Sequence, residues 1–457
     1  MFILLATAIT APWLRRSPSY EGKRLDFWIN ELGGKDWAKA KEALLEIGPD
    51  AVPALLAAHS SKASFLDKIV DTMRLHASDV IASKLPERPD RNAIRNYSLE
   101  TLIALGPDAR QGILKFQQAF RAPKRDVTEE FEATEWAEAM LAAAGKDDPA
   151  LRSFFINSLS VTQWQVVCPA ITALGEIGPP ARAAVPKLIE LLNHESGLYW
   201  RPAAVTLGQI GSVASNAVPA LRKVMLGEEE DLDERVRAAE ALWRISNETI
   251  QTLPVLMGAL KGGGVFADCF AADALGEMGR AAEPALPALF EVLHPTHQSD
   301  SGALFKIKVA KAIWRISSKA DVVLPALLDI LHGAEQKAAL EALGMLGSAA
   351  RPAIPELVIA LQAQDYEVRR SAAKVLGNVE PEATEAVPVL VKALRDDFIS
   401  VRLNAAESLC KIDPQNDQLP PTLNGWLQTG GVRTRRCAAE LRARMDRLNA
   451  GKASEKK

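Results

Sequence analysis

The 457-residue sequence predicts an all-α chain, a right-handed α-solenoid of about 11 to 12 antiparallel helix pairs. Three observations carry that prediction. The stretch AALEALGMLGSAARPAIPELVIAL at residues 338–361 recurs in varied form through the C-terminal two-thirds of the chain. Eight stations one unit apart, Gly175, Gly208, Trp243, Gly276, Trp314, Gly344, Gly377 and Cys410, are each followed eleven residues later by a proline, from Pro186 through to Pro421. A leucine lies two residues beyond each of these prolines, and another apolar residue four beyond that.

Each unit reads as two helices. The first carries an Ala-Ala step, at Ala203 and Ala204, Ala238 and Ala239, Ala271 and Ala272, Ala372 and Ala373, and Ala405 and Ala406. Small side chains there let neighbouring helices approach closely, and the apolar residues around them fall at helical spacing. After a short turn the second helix begins near the proline, where the missing N–H has no intrahelical acceptor to lose. Its leucine and the apolar residue four further on share one face, which is the face to be buried. One such pair cannot repay the entropy of ordering its backbone, so units must stack and the ends must be capped.

The pattern A-L-G-x-I-G-x-x-A-x-x-A-V-P-x-L, read at residues 173–188 and less strictly elsewhere, resembles the short HEAT repeat of the phycobilisome-lyase-like kind. Ankyrin repeats would show Thr-Pro-Leu-His, and tetratricopeptide repeats place their proline at the end of the second helix. The resemblance spans residues 166–427 strongly and implies an armadillo-like superhelix. It implies little about activity, because fold does not dictate function.

The expected organisation follows. Residues 1–19 form an apolar N-terminal segment, residues 20–165 degenerate N-terminal repeats, residues 166–427 regular repeats, residues 428–448 a capping helix and residues 449–457 a disordered basic tail. Residues 1–14 are apolar and uncharged and precede Arg15 and Arg16. They are shorter than the roughly 20 apolar residues of a spanning helix and lack the basic start of a signal peptide. They read either as a short anchor or as a segment packed on the first repeat. The stretch YEGKRLDFWI at residues 20–29 resembles the lead-in before HEAT arrays of anchored or exported bacterial proteins, which leans localisation that way, with a cytoplasmic chain as the alternative. In the degenerate region, Gly48-Pro49 and Gly106-Pro107 keep the turn while the second helix follows sooner.

Hydrophobic residues make up 48% and charged residues 24%, with a net charge of -3, the balance of a globular chain with ample core material and no general basic excess. Residues that could carry chemistry are scattered. His194-Glu195 forms the one His-Glu pair, where the di-iron HEAT enzyme resembling this architecture, deoxyhypusine hydroxylase, uses four. His294 and His297 have no neighbouring carboxylate, and both sites read as loop histidines. Cys168, Cys269, Cys410 and Cys437 form no Cys-x-x-Cys, and Cys410 stands in a glycine station as a small core residue. Gly262 to Gly264 lack the Lys-Ser or Lys-Thr of a phosphate loop. No catalytic residue, cofactor or metal is therefore expected.

Two features stand apart. The motif L-W-R-I-S at Trp243-Arg244 returns as I-W-R-I-S at Trp314-Arg315, replacing the station glycine with the residue types of interface hot spots. The same tryptophans read first as fillers of wide gaps between helices. From Arg433 onward nine Lys and Arg face three Asp and Glu, so Arg433, Arg435 and Arg436 are candidates for an anionic partner or a solvated cap. Acids and bases near the starts of first helices (Asp231 with Arg235, Asp365 with Arg369, Asp397 with Arg402) read as a ladder in which the acid of one unit meets the base of the next.

These readings point to a non-enzymatic scaffold, a monomer that holds another protein on the concave surface lined by second helices. Its candidate contacts are Trp243, Arg244, Trp314, Arg315, Arg433, Arg435 and Arg436. The alternative is a lyase or lyase subunit resembling the phycobilisome-lyase family. Nucleic acid is disfavoured, since charges along the second helices alternate and only the C-terminus is basic.

Overall fold

The computed structural model describes residues 18–60, 91–109, 141–142, 145–161, 164–193, 198–227, 231–261, 266–293, 302–379 and 382–455. They divide between two compact units, one made of the chain up to Asp148 together with Asn424–Ala439, the other of Pro149–Leu423 and Glu440–Lys457.

The first unit opens with a hairpin that the all-α expectation did not include, strand β1 (Ser19–Tyr20) against β2 (Lys23–Arg24). Glu21 and Gly22 turn it with φ of 50° and 73°, the left-handed pair that tight hairpins require. Helix α1 (Leu25–Glu31) follows and buries Trp28, whose indole N–H donates to the Tyr20 carbonyl at 3.2 Å. Helices α2 (Trp37–Ile47), α3 (Val52–Ser60) and α4 (Arg91–Leu105) complete its described helices from the N-terminal stretch. Gly48 and Gly106 take φ of 75° and 54° after α2 and α4, and a short 3-10 turn follows each, as the Gly-Pro steps predict.

The second unit begins with α5 (Pro149–Ser158) and continues as eight helix pairs, of whose last helix the residues from Asn424 onward belong to the first unit. They are α6 (Trp164–Ile177) with α7 (Val185–Leu192), α8 (Trp200–Ile210) with α9 (Val218–Leu226), α10 (Leu232–Ser246) with α11 (Thr249–Ala259), and α12 (Ala267–Met278) with α13 (Leu286–Leu293). Then come α14 (Ala303–Ser317) with α15 (Ala320–Leu331), α16 (Gln336–Leu346) with α17 (Ile354–Ala360), α18 (Tyr366–Val379) with α19 (Val387–Ala393), and α20 (Ile399–Ile412) with α21 (Leu419–Thr429). First helices pack on first helices in one layer, and the second helices from α7 to α19 each pack on the first helix that follows, α11 and α15 on their own first helix as well. The Ala-Ala steps are fully buried, and the leucine after each proline is no more than 1% exposed. The apolar residue four further on is also buried in seven pairs; Leu427 in the last pair is 36% exposed.

Two kinds of turn join the helices in six of the eight pairs. Gly178, Gly211, Gly279 and Gly347 sit at φ between 56° and 76° and lead into a 3-10 turn, after which the proline is the second residue of the second helix or of its short entry. In the two tryptophan units the left-handed residue is Asn247 (φ 57°) or Ser318 (φ 54°), and the second helix starts almost at once, at Thr249 or Ala320. Pro254 and Pro325 therefore lie inside α11 and α15, five residues later than the sequence reading placed such prolines. The backbone tolerates this at Pro254 because the carbonyl left without its i+4 donor belongs to Ile250, which is 90% exposed.

The last helix, α22, runs Val432–Glu455, so the expected disordered tail from residue 449 is helical as far as Glu455. Ala450, Lys452, Ala453 and Glu455 give that stretch a composition helices accept readily. The histidine sites at 194, 294 and 297, the glycine run at 262–264 and the possible anchor at residues 1–14 lie outside the described residues. Among the described residues no helix is long and apolar enough to cross a membrane.

Candidate partner-binding surface

The eight stations mark where each first helix meets the next. A β-carbon on Gly208 would lie 3.0 Å from Ala241 Cα and 3.5 Å from Arg244 Cδ; one on Gly276 would lie 3.0 Å from Ala312 Cα and 3.5 Å from Arg315 Cδ. Gly344 meets Val375 and Asn378, and Gly377 meets Ser408. Every glycine station thus faces the residue two before the next station, and commonly the residue one after it. Hydrogen bonds stitch several of these contacts: the Thr206 hydroxyl donates to the Ile171 carbonyl (2.9 Å), Ser408 to Ala373 (2.7 Å) and the Asn378 amide to Gly344 (3.3 Å).

Trp243 and Trp314 occupy the same station and are half-buried between first helices. The Trp314 indole N–H donates to the Met345 carbonyl at 3.2 Å, one residue past the following station. Arg244 pairs with Glu277 of the next unit, Nε to Oε2 at 2.9 Å, and with Glu240 of its own helix at 2.9 Å. Arg315, at the equivalent place, is exposed, because Met345 stands where Glu277 does. The repeated motif therefore lies in the first-helix layer, with one of its two arginines engaged.

The second helices present a different surface. In each of the seven pairs from α7 to α19 the proline is exposed and the leucine two residues on is buried, so the residue four beyond the proline returns to solvent. Glu190, Lys223, Gly258, Glu291, Asp329, Ile359 and Lys392 hold that place, giving a strip of both charge signs, interrupted at Gly258, with one large apolar side chain, Ile359, 61% exposed. Beside Asp329, an open hollow of about 430 Å³ is lined mainly by apolar side chains with Lys306 at its edge.

The expected ion-pair ladder is present with a different acid. Arg369 grips Asp396 through Nε (2.7 Å) and Nη2 (3.0 Å) and donates to the carbonyls of Ala363 and Gln364. Arg402 reaches the carbonyls of Asp396 and Asp397, and Arg235 that of Met225, so these arginines hold the inter-unit connections by their backbone. Asp397 itself is exposed. Lys308 with Asp273 and Lys337 with Glu367 join successive first helices.

Within the first unit, the start of α22 is held by a distant side chain. Gly430 and Gly431 precede Val432, so no local side chain accepts the free N–H groups of the first turn. The Glu46 carboxylate does so, accepting the Thr434 N–H at 3.0 Å from 388 residues away in sequence. A β-carbon on Gly431 would lie 2.7 Å from the Glu46 carbonyl oxygen, so only glycine allows this approach. Burial pushes the Glu46 carboxyl above its ordinary range; the Thr434 hydrogen bonds and the Arg433 charge pull it down, and Glu42 pushes it up. Arg436 pairs with Asp108 at 3.1 Å, while Arg433 and Arg435 are exposed. No signal in the sequence linked Glu46 to the last helix.

Among the described residues no group of His, Cys, Asp and Glu could hold a metal ion. Cys410 is buried, and burial with the neighbouring Asp268 pushes the half-buried Cys269 thiol up to about 11.

The family model for HEAT repeats matches residues 162–242, 324–410 and 354–444. No curated protein sequence matches the chain. Among solved structures, the karyopherin Kap121p bound to the extreme C-terminus of the protein phosphatase Cdc14p shares 12% identity over 93% of this chain and 57% of its own, with a TM-score of 0.41. Kap121p bound to RanGTP shares 12% identity over 93% of this chain and 56% of its own, with a TM-score of 0.37. The chain thus spans little more than half the length of these structures. The matched residues carry HEAT repeats, and the chain folds as a HEAT-repeat α-solenoid.

Proposed function

We propose that the chain is a non-enzymatic scaffold that holds another protein along the solvent-facing strip of its second helices. The observation that supports this reading is the regular return of exposed side chains on six of seven successive second helices, Glu190, Lys223, Glu291, Asp329, Ile359 and Lys392, over a buried leucine row. A row of mixed charge with one large apolar side chain in it suits a folded or extended polypeptide. A polyphosphate backbone would call for charge of one sign, since release of its counterions drives such binding. Arg315, Arg433 and Arg435 are exposed and offer further contacts, whereas Trp243 and Arg244 are engaged mainly in packing one unit on the next.

The test is purification of the full chain from native cells with its partner quantified, comparing wild type with the double variant Glu291→Lys and Asp329→Lys. The reading expects a stoichiometric partner whose affinity falls at least about tenfold, the effect of removing about 1.4 kcal/mol of contact, with helical content unchanged. Unchanged retention in that variant, with loss on changing Arg433 and Arg435 to serine, would move the site to the C-terminal helix and overturn the strip.

A further inference from the structure

We propose that Trp243 and Trp314 are wedges that divide the repeat array into three stiff blocks, residues 164–259, 267–331 and 336–423, and that the array bends at the two seams between them.

The stations alternate. Gly175 and Gly208 precede Trp243, Gly276 precedes Trp314, and Gly344 and Gly377 precede Cys410. At Gly208 and Gly276 the helices meet backbone to backbone, with 3.0 Å from the missing β-carbon to the neighbour's Cα, and no side-chain rotation can relieve or loosen such a contact. The partners there are Ala241 and Ala312, each two residues before the next station. The residues at that same place opposite Trp243 and Trp314 are Ala274 and Ala342, again alanines and again buried. Both sides of each seam thus carry the residues of a close contact, except for the tryptophan itself. The indole holds the helices apart: α10 approaches α12, and α14 approaches α16, less closely than first helices do across a glycine.

Long ion pairs cross blocks and seams alike, as Lys308 with Asp273 and Lys337 with Glu367 do inside the blocks; what sets the blocks apart is a shorter kind of tie. Inside the blocks, short hydroxyl and amide side chains bond the backbone of the preceding first helix, at Thr206, Ser408 and Asn378. Across the first seam run the Arg244 to Glu277 pair and the Arg237 guanidinium over the Phe270 ring at 3.4 Å, with one short tie, Asp233 accepting the Phe266 N–H at a long 3.4 Å. Across the second runs the Trp314 indole hydrogen bond to Met345. Such ties survive changes of rotamer and allow the helices to roll on one another, as packed helices do in shear motions. The seam units are also the two that replace the glycine and 3-10 turn by Asn247 or Ser318 and a direct entry into the second helix, so the departure involves the whole unit.

The test is pulsed electron-spin resonance on the full chain, with its four cysteines changed to alanine and spin labels at exposed positions. Labels at Lys223 and Glu291 span the Trp243 seam, labels at Glu291 and Ile359 span the Trp314 seam, and labels at Glu190 and Gly258 span the glycine station at Gly208 as a control. The distance distributions across both seams should be broader than the control. In Trp243→Gly and Trp314→Gly the matching distribution should narrow and shift inward by about 2 Å, the difference between loose and tight helix pairs. Gly208→Trp should broaden the control pair. Equal widths across seams and control in the unsubstituted chain would overturn the proposal, and that comparison stands even where a tryptophan variant fails to fold. Broadening of a seam on substitution by glycine would overturn it equally.

Discussion

Replacing Gly377 by alanine should destabilise the array locally, although alanine is the better helix former. Two effects oppose each other. In a helix interior alanine gains about 1 kcal/mol over glycine. At Gly377 the new methyl would lie 2.9 Å from Ser408 Cβ and 3.0 Å from Ser408 Cα, so the two helices must separate, at an overpacking cost of about 1 to 3 kcal/mol. The Ser408 hydroxyl stands in the way as well and must leave the Ala373 carbonyl, to which it donates at 2.7 Å in a buried setting. That loss costs about another 1 to 3 kcal/mol. The net effect is a destabilisation of about 3 kcal/mol. Repeat arrays need not unfold in one step, so native-state hydrogen exchange of α18 and α20 is the suitable assay. Exchange there should accelerate about 100-fold, the equivalent of that energy. The control is Gly258→Ala on α11, where no atom lies within 4 Å of the added carbon. It should slow exchange slightly, by the full propensity gain of about 1 kcal/mol. If both substitutions stabilise their helices, the close approach at the station is not real and the reasoning fails.

Three other perturbations have defined outcomes. Asp396→Ala removes the bidentate partner of Arg369, with both side chains 15% exposed or less, and should cost about 2 kcal/mol in urea denaturation, whereas Asp397→Ala should cost under about 0.5 kcal/mol; equal losses would restore Asp397 as the ladder acid. Cys269, its thiol pushed up to about 11, should react with an aromatic disulfide at pH 8 far more slowly than glutathione, and comparable rates would contradict its burial. Glu46 has a folded pKa raised above its ordinary 4.5, so its contribution is fully present below that value and is lost as pH rises through the folded pKa. Wild type should therefore lose thermal stability relative to Glu46→Gln between pH 4.5 and neutrality, and a gap independent of pH would show that the carboxyl does not titrate there.

The repeat was legible because each of its marks has a local cause. A proline at constant spacing reports a helix start, an Ala-Ala step reports close helix contact, and a Leu pair four apart reports one buried face. The tryptophan units were only half legible. Their sequence showed that a large ring replaces glycine, but the shift of Pro254 and Pro325 into the helix interior depends on Asn247 and Ser318 adopting left-handed φ, which no single position signals. The sequence groups Asp365 with Arg369 and Asp397 with Arg402 but does not single out Asp396; Asp396 and Asp397 are adjacent, and only the bend of the connection decides which carboxylate turns toward Arg369.

The sequence by itself determined the helix pairs and their period, because these follow from nearest-neighbour rules that a chain repeats unit by unit. Tertiary structure alone decided what depends on contact between distant residues. The cap that Glu46 supplies to Thr434, the glycine at 431 that admits it, and the tightness of one station against the looseness of the next all depend on which atoms meet across space. Linear spacing carries no record of such meetings.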